Sequence, residues 1–119
     1  MLLKRIMMVL IVSSLLGACA TTTTTSRIDT SQLSIVKENH AEITIDKVDY
    51  ILDSYIIPFQ RPYYITVSRS DNAAIEKDIA VAVASEYIKP RGCTTPLSRR
   101  PDLDQNNADK TQWLIGVEC

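Results

Sequence analysis

Four charged residues near the end of the chain could together bind an anionic group: Arg91, Arg99, Arg100 and Asp102. An arginine side chain presents a planar fork of N–H donors that grips a carboxylate or a phosphate through two hydrogen bonds. One hypothesis is therefore a docking surface for an anionic group on a lipid, on peptidoglycan or on a partner protein. The alternative is that Arg91 and Arg100 pair with nearby aspartates and hold the shape of their own loop. The nearby aspartates are Asp102, Asp104 and Asp109.

The sequence contains no recognisable catalytic or metal-binding set. His40 is the only histidine, so a zinc site built on several histidines is excluded, and a solvated loop position suits this residue. Ser98 has no base at a recognisable spacing. The carboxylates of Asp102, Asp104 and Asp109 lack the spacing and the glycine of a calcium loop. We therefore expect a non-enzymatic protein without metal or cofactor; an enzyme would need an active site assembled by the fold.

The first 18 residues have the parts of a secretory signal peptide. Lys4 and Arg5 provide a positive start, and residues 6–16 are apolar except for two serines. This run of about eleven residues is shorter than the roughly 20 residues that a helix needs to cross the bilayer core. We therefore expect a cleaved signal, residues 1–18, rather than a permanent membrane span.

The sequence Leu16-Gly17-Ala18-Cys19 that closes this run resembles the lipobox of bacterial lipoproteins. In that family the signal peptidase cleaves before the cysteine, which carries diacylglycerol on its sulfur and becomes an acylated first residue, with chains such as palmitate. The resemblance implies that Cys19 is the lipidated first residue of the mature chain. A residue other than Asp after the cysteine, here Ala20, implies sorting to the outer membrane with the domain facing the periplasm.

Two other interpretations of this segment remain open. Ala18-Cys19-Ala20 also fits the small-x-small cleavage site of ordinary secretion, which would release the chain after Ala20 and discard Cys19. An uncleaved hydrophobic N-terminus on a cytosolic protein would leave Cys19 without a role.

The charge of the mature chain does not indicate nucleic-acid binding. Loss of Lys4 and Arg5 with the signal reduces the 13 basic residues to 11, against 14 acidic residues, for a side-chain balance of −3. A chain of this kind lacks the basic patch that a nucleic-acid surface requires. The expected partners are instead the membrane, through the lipid on Cys19, and an envelope protein.

Cys93 and Cys119 are expected to form a disulfide. Once Cys19 is lipidated or lost, these two cysteines are an even pair in a compartment that permits disulfides. Metal binding and a reactive thiol are competing interpretations, but no histidine lies nearby and no Cys-x-x-Cys motif is present. The bridge would close a loop of 27 residues, worth roughly 3.5 kcal/mol in the chain-entropy model.

The pattern of apolar residues predicts a small α+β domain over residues 35–119. We expect a two-layer sandwich in which one long helix packs on an antiparallel or mixed sheet of about three strands. Period-two alternation predicts strands at 41–45, 63–68 and 111–119. N-cap residues before an apolar stripe predict the helix at about 71–89. The stripe comprises Ile75, Ile79, Ala82, Val83 and Tyr87.

The remaining segments have weaker patterns. Residues 19–34 contain five consecutive threonines, so they are expected to form a flexible tether behind the lipidated cysteine. Residues 47–57 fit either a helix or a strand, and a short helix is preferred. Pro58 and Pro62 bracket a turn around Phe59, and residues 94–110 form a long loop.

The sequence thus predicts a non-enzymatic lipoprotein of the outer membrane. This prediction rests on the lipid anchor at Cys19, on the tether of residues 19–34 and on the lack of a catalytic set. We expect an accessory or partner-binding role in the cell envelope. The alternative is a small periplasmic inhibitor or ligand-binding lipoprotein that inserts the arginine-bearing loop, residues 91–110, into an acidic cleft. A stable complex with an envelope protein would favour the first function, and inhibition of an acidic hydrolase the second.

Overall fold

The computed structural model describes residues 27–93 and 96–119. In these residues seven strands form one antiparallel sheet: β1 (Ser34–Ile35), β2 (Ala41–Ile45), β3 (Val48–Ile56), β4 (Tyr63–Arg69), β5 (Ser98–Arg99), β6 (Gln105–Asn106) and β7 (Gln112–Glu118). One α-helix, α1, spans Lys77–Ile88, and short 3₁₀ turns occupy Lys37–Asn39, Lys89–Arg91 and Pro101–Leu103. The predicted signal peptide, Cys19 and the threonine run lie outside the described residues.

The three long strands β3, β4 and β7 form the centre of the sheet in that spatial order. Leu52 is paired with Val67 across β3 and β4, and Val67 is paired with Trp113 across β4 and β7. The short strands β1 and β2 share the other edge of β3, and β5 and β6 share the other edge of β7. Each side of the centre is thus flanked by two short strands rather than by one long strand.

The predicted sandwich with a sheet of about three strands is wrong, because most of the structure is a seven-stranded sheet with a single helix. Residues 47–57, predicted as a short helix, supply the central strand β3. A two-residue turn with positive φ at Asp46 (52°) and Lys47 (68°) joins β2 to β3 as a hairpin. Both faces of β3 are partly covered, so apolar residues occur on both faces and imitate helical spacing. Segments 98–99 and 105–106, predicted as loop, add two further strands.

The other three strand predictions are confirmed. β2 has the predicted bounds, β4 extends one residue further, and β7 is one residue shorter at each end. Tyr63, Ile65 and Val67 share one face of β4, as alternation along a strand requires, and this face packs into the core with α1.

Helix α1 begins at Lys77, six residues later than predicted. Glu76 is extended, so the helical conformation starts only after it. The amide of Ile75 instead donates to the carbonyl of Lys110, and the carbonyl of Ile75 accepts the indole N–H of Trp113 at 2.8 Å. The hydrogen bonds of Ile75 with Lys110 and Trp113 therefore hold residues 71–76 outside the helix despite the N-cap residues in this segment.

The buried face of α1 differs in part from the predicted stripe. Its buried residues recur at helical spacing and are Ala80, Val83, Ala84, Tyr87 and Ile88. Ile79, predicted to face the core, is 44% exposed, and Ala82 is exposed as well. The small side chains of Ala80 and Ala84 lie at the contact, where they allow the helix to approach the sheet closely. Each large apolar side chain buried in this core contributes about 2 kcal/mol through removal of its surface from water.

Cys93 and Cys119 form the predicted disulfide, with their Cα atoms 5.5 Å apart. Gly92 precedes the bridge with a left-handed φ of 114°, which ends the helical region and which a side chain would adopt only with strain. Cys93 is buried in the core, and Cys119 packs against it. The bridge therefore joins the end of the helical segment to the end of β7.

Residues 27–34, placed in the tether by their polar composition, contact the domain. The amide of Ile28 donates to the side-chain oxygen of Gln112 at 2.8 Å. Ser34, in β1, is paired with Ile56 at the end of β3. This segment thus leads from the end of the sheet beside Gln112 to the opposite end beside Ile56.

A polar cluster holds α1 against the turn that precedes β2. The Tyr87 hydroxyl donates to the backbone carbonyl of Asn39 at 2.5 Å. The side-chain amide of Asn39 donates in turn to the Ser54 hydroxyl at 3.0 Å and to the Arg91 carbonyl at 3.3 Å. Burial raises the pKa of the Tyr87 phenol above its ordinary value, and a hydrogen bond with Ser54 offsets part of this increase.

We predict that Tyr87→Phe lowers the free energy of unfolding by about 1–2 kcal/mol at neutral pH, because the Asn39 carbonyl loses its donor. The raised pKa also destabilises the wild-type fold above pH of about 10, where the unfolded chain loses the phenolic proton more readily than the folded chain. Urea unfolding at neutral and alkaline pH measures both effects. The wild-type free energy of unfolding should fall more steeply with alkaline pH than that of Tyr87→Phe, and parallel curves would contradict this assignment.

Candidate functional site

Part of the predicted arginine cluster lies along the outer edge of β7, between the short strands β5 and β6. Ile115 and Gly116 are the β7 residues that lie between their pairing positions. The Asp104 carboxylate accepts the Gly116 N–H at 2.9 Å, while the Arg99 guanidinium and the Arg100 amide both donate to the Gly116 carbonyl. The Arg100 amide is a backbone donor, and the two side chains take the place of the further partners that a continuous neighbouring strand would offer.

The approach of this segment to β7 requires a glycine. A Cβ at position 116 would lie 2.6 Å from the Cβ of Leu103 and 2.8 Å from the Arg100 carbonyl oxygen. The 3₁₀ turn Pro101–Leu103 therefore lies directly against the backbone of Gly116. Residues 99–104 are a tightly fitted part of the domain rather than a projecting loop.

Asp104 and Arg99 form the most buried ion pair among the described residues. Arg99 Nη2 lies 2.6 Å from Asp104 Oδ2, and the side chains are 26% and 5% exposed, respectively. Lys77, the first residue of α1, brings a second cation to 4.0 Å from the same carboxylate oxygen. A carboxylate this buried needs paired charge and hydrogen bonds, and Asp104 has both. Its role is to close the edge of β7.

Arg100 binds two acidic side chains on the surface beside this edge. It donates to the two carboxylate oxygens of Asp102 at 3.1 and 2.8 Å and to Glu118 at 2.9 Å. The hydrogen bond from Arg100 holds the pKa of Asp102 below its ordinary value. The donors of Arg100 are thus directed at residues of its own domain, as the loop-shaping interpretation of this residue expects.

Arg91 has its contacts elsewhere, at the C-terminal end of α1. Its guanidinium donates to the Tyr87 carbonyl at 2.7 Å and lies over the Tyr87 ring, 4.6 Å from the ring centre. A cation at this position also interacts favourably with the negative end of the helix dipole. The fold therefore brings Arg99, Arg100 and Asp102 together around β7 and assigns Arg91 to the end of the helix.

His40, the only histidine of the chain, pairs with Asp53. His40 Nδ1 lies 2.7 Å from Asp53 Oδ1, and the imidazole is 51% exposed. Acyl transfer by such a pair would need a nucleophile within reach. Ser54 is fully buried on the opposite face of β3, and Ser98 is exposed in β5, paired in register with Glu118. Among the described residues, no group of three or more His, Cys, Asp or Glu is placed to hold a metal ion.

Phe59, the only phenylalanine of the chain, lies in the turn between β3 and β4 with its side chain fully exposed. The Gln60 amide donates to the Ile57 carbonyl at 3.0 Å and Phe59 has a φ of 68°, which is the geometry of a type II turn with Pro58 at its second position. This third position favours glycine, because a side chain strains a left-handed backbone. Sequence analysis placed Phe59 in a turn but not at a site. The sequence pattern that could have identified it as a site is a lone aromatic residue in a turn between two prolines.

The described residues also line surface cavities, two of which are notable for their size. A polar cavity of about 280 Å³ is lined by Arg27, Ser68, Asn72, Asn107, Thr111 and Gln112. Some of these groups bind one another: the Asn107 side chain accepts the Gln112 amide at 3.0 Å and donates to the Thr111 hydroxyl at 2.8 Å. A more open groove of about 540 Å³ lies beside Trp113. Among the described lining residues of either cavity, no hydroxyl or thiol accompanies a histidine or a carboxylate.

We predict that Asp104→Ala lowers the free energy of unfolding by about 3 kcal/mol, because it leaves the Arg99 guanidinium and the Gly116 N–H without this partner. Asp102→Ala is the matched control, since it removes an aspartate of the same segment whose side chain is 59% exposed. The control should have a much smaller effect. Urea unfolding of both variants makes the comparison, and equal losses would show that the buried position of Asp104 is not what stabilises the edge.

No helix in the described part of the chain is both long enough and apolar enough to pass through a membrane. Comparisons with protein families, with curated proteins and with solved structures find no match to this chain.

Proposed function

We propose that this chain is a lipoprotein of the outer membrane, anchored through lipid on Cys19, with a non-enzymatic accessory or partner-binding role in the periplasm. The observation that carries the proposal is the sequence Leu16-Gly17-Ala18-Cys19 at the end of a short apolar run with a positive start. Several acyl chains on one cysteine would hold the protein firmly, since each buried methylene contributes about 0.8 kcal/mol.

The disulfide supports the part of the proposal that concerns the compartment. Disulfides form and persist in oxidising compartments such as the periplasm and are rare in the bacterial cytosol. The Cys93–Cys119 bridge closes the domain at the end of β7, and Cys93 is only 3% exposed. The Cys93 sulfur is therefore shielded from thiol exchange, which requires an accessible sulfur, whereas Cys119 is only partly buried.

The inhibitor alternative has less support from the arginine-bearing segment. Insertion into an acidic cleft requires guanidinium groups that are directed outward and can exchange their partners. Arg99 is bound to Asp104 and to the Gly116 carbonyl, and Arg100 is bound to Asp102 and Glu118. A ligand would first have to displace carboxylates of the domain itself. The partner-binding role is therefore the function we favour.

The anchor is tested by intact mass measurement of the protein from membrane fractions, with and without reduction and alkylation. We expect a chain that starts at Cys19, carries acyl mass and gains two alkyl groups only after reduction. The matched variant Cys19→Ser should lose the acyl mass, because serine offers no sulfur for the thioether. Cys93→Ser is the control, since it should retain the acyl mass while its bridge is lost. A soluble wild-type species that starts at Thr21 would contradict the lipid anchor and indicate ordinary secretion instead.

A further inference from the structure

Phe59 is the most exposed large apolar side chain among the described residues. Its exposure is 107%, whereas the next values are 44% for Ile79 and 43% for Ile35. A phenyl ring in water forgoes the stabilisation that burial of its surface would give. The fold therefore gains nothing from this ring through packing.

The backbone at Phe59 is also unfavourable for a side chain. Its φ of 68° lies in the left-handed region, at the turn position that glycine occupies most easily. Bulky residues with such a φ are uncommon, and backbone strain of this kind concentrates at functional sites. Exposure and strain both disfavour phenylalanine for the stability of the fold, so its presence points to a role outside the fold.

The turn presents the ring in a defined way. Pro58 restricts the backbone before Phe59, Pro62 restricts it before β4, and the hydrogen bond from Gln60 to Ile57 closes the turn. An anchor held in one conformation loses little entropy when it binds. Aromatic anchors of this type, seated in a pocket of the partner, dominate the energy of many protein interfaces.

Apolar and charged neighbours extend the surface around the ring. Ile35 is 43% exposed and is paired with Tyr55, so both lie on the face of the sheet opposite α1. Arg61 is the only charged residue of the turn, residues 57–62, and it is exposed. A complementary surface would thus combine an apolar pocket with a carboxylate near its rim.

The position of the turn indicates which kind of partner it faces. Ile28 binds Gln112, which is paired with Ser68 at one end of the central strands, while Phe59 lies beyond Tyr63 at the other end. Five residue steps along β4 separate these ends by about 17 Å. If Cys19 is lipidated, the anchor is joined to the domain at the Ile28 end. The phenyl ring lies at the opposite end of the sheet.

We propose that the turn of residues 57–62 docks on a second protein of the envelope, which receives the ring of Phe59 in an apolar pocket with a carboxylate facing Arg61. The choice of a protein rather than a lipid surface rests on the proposed membrane anchor, which is attached at the end of the sheet opposite the turn. It rests equally on the rigid turn, which suits a pocket of fixed shape.

The test replaces Phe59 by the photocrosslinker p-benzoylphenylalanine in the full chain, in cells that produce it. Ile79 carries the same crosslinker in a control chain, because it is exposed but lies on the helix. We expect a covalent adduct with a different protein from position 59 and not from position 79. The identified protein is then purified, and its affinity is measured for the wild-type chain, Phe59→Ala and Ile79→Ala. Phe59→Ala should weaken binding at least about tenfold, and Ile79→Ala should leave it unchanged.

Several results would overturn the proposal. An adduct with twice the mass of the chain would make a second copy the occupant, and an adduct of lipid mass would make it a membrane. An absent adduct, the same adduct from position 79, or unchanged affinity of Phe59→Ala would remove the docking role. Membrane fractionation of the same cells tests the anchor separately. A soluble chain that still forms the protein adduct would refute the anchor and leave the docking turn intact.

Thermal unfolding of Phe59→Gly separates a docking role from a structural one. Glycine relieves the left-handed backbone, so the folded chain should unfold at the wild-type temperature or above while binding of the identified protein is lost. A clear decrease in the unfolding temperature would mean that the ring stabilises the fold, which contradicts the proposal.

Discussion

Six of the seven residues of β7 are buried. Its backbone N–H and C=O groups therefore need hydrogen-bond partners along both edges, and its side chains need other residues packed on both faces. Helix α1 covers one face, and β4 pairs with one edge over six residues. The other edge has only the two-residue strands β5 and β6, and Gly116 lies in the gap between them. Asp104 and Arg99 bind the backbone of Gly116 through their side chains, and the Arg100 amide adds a backbone donor. The disulfide then ties the end of this strand to the end of the helical segment.

This constraint explains why the most chemically suggestive residues of the chain are engaged within the domain. A buried carboxylate is stable only with a paired cation and donors, and Asp104 obtains them from Arg99 and Gly116. Arg100 is held by two surface carboxylates, and Arg91 by the end of α1. Phe59, in contrast, is not engaged within the domain: its ring is fully exposed, and its left-handed backbone disfavours a side chain. The inferred interaction therefore depends on an apolar turn rather than on the arginines.

Sequence reasoning succeeded where one face of an element is buried and the other is open. Ala41, Ile43 and Ile45 alternate cleanly in β2, and the strand has the predicted bounds. It failed for β3, because Ile51 and Tyr55 lie on the face opposite Tyr50 and Leu52, and both faces are partly covered. It also placed the start of α1 too early. Good N-cap residues precede the helix, but the Ile75 amide donates to the Lys110 carbonyl, and the helix begins only at Lys77. Asp104 was considered only as a calcium ligand or as a partner of nearby arginines.

By itself the sequence determined the strands β2, β4 and β7 and the pairing of Cys93 with Cys119. Alternation is a local property of a strand, and an even cysteine pair leaves one intramolecular bridge. Only the tertiary structure decided that residues 47–57 form a strand, that Asp104 closes the edge of β7 and that Phe59 stands free in solvent. Each of these depends on which segments lie opposite one another in space, and spacing along the chain does not contain that information.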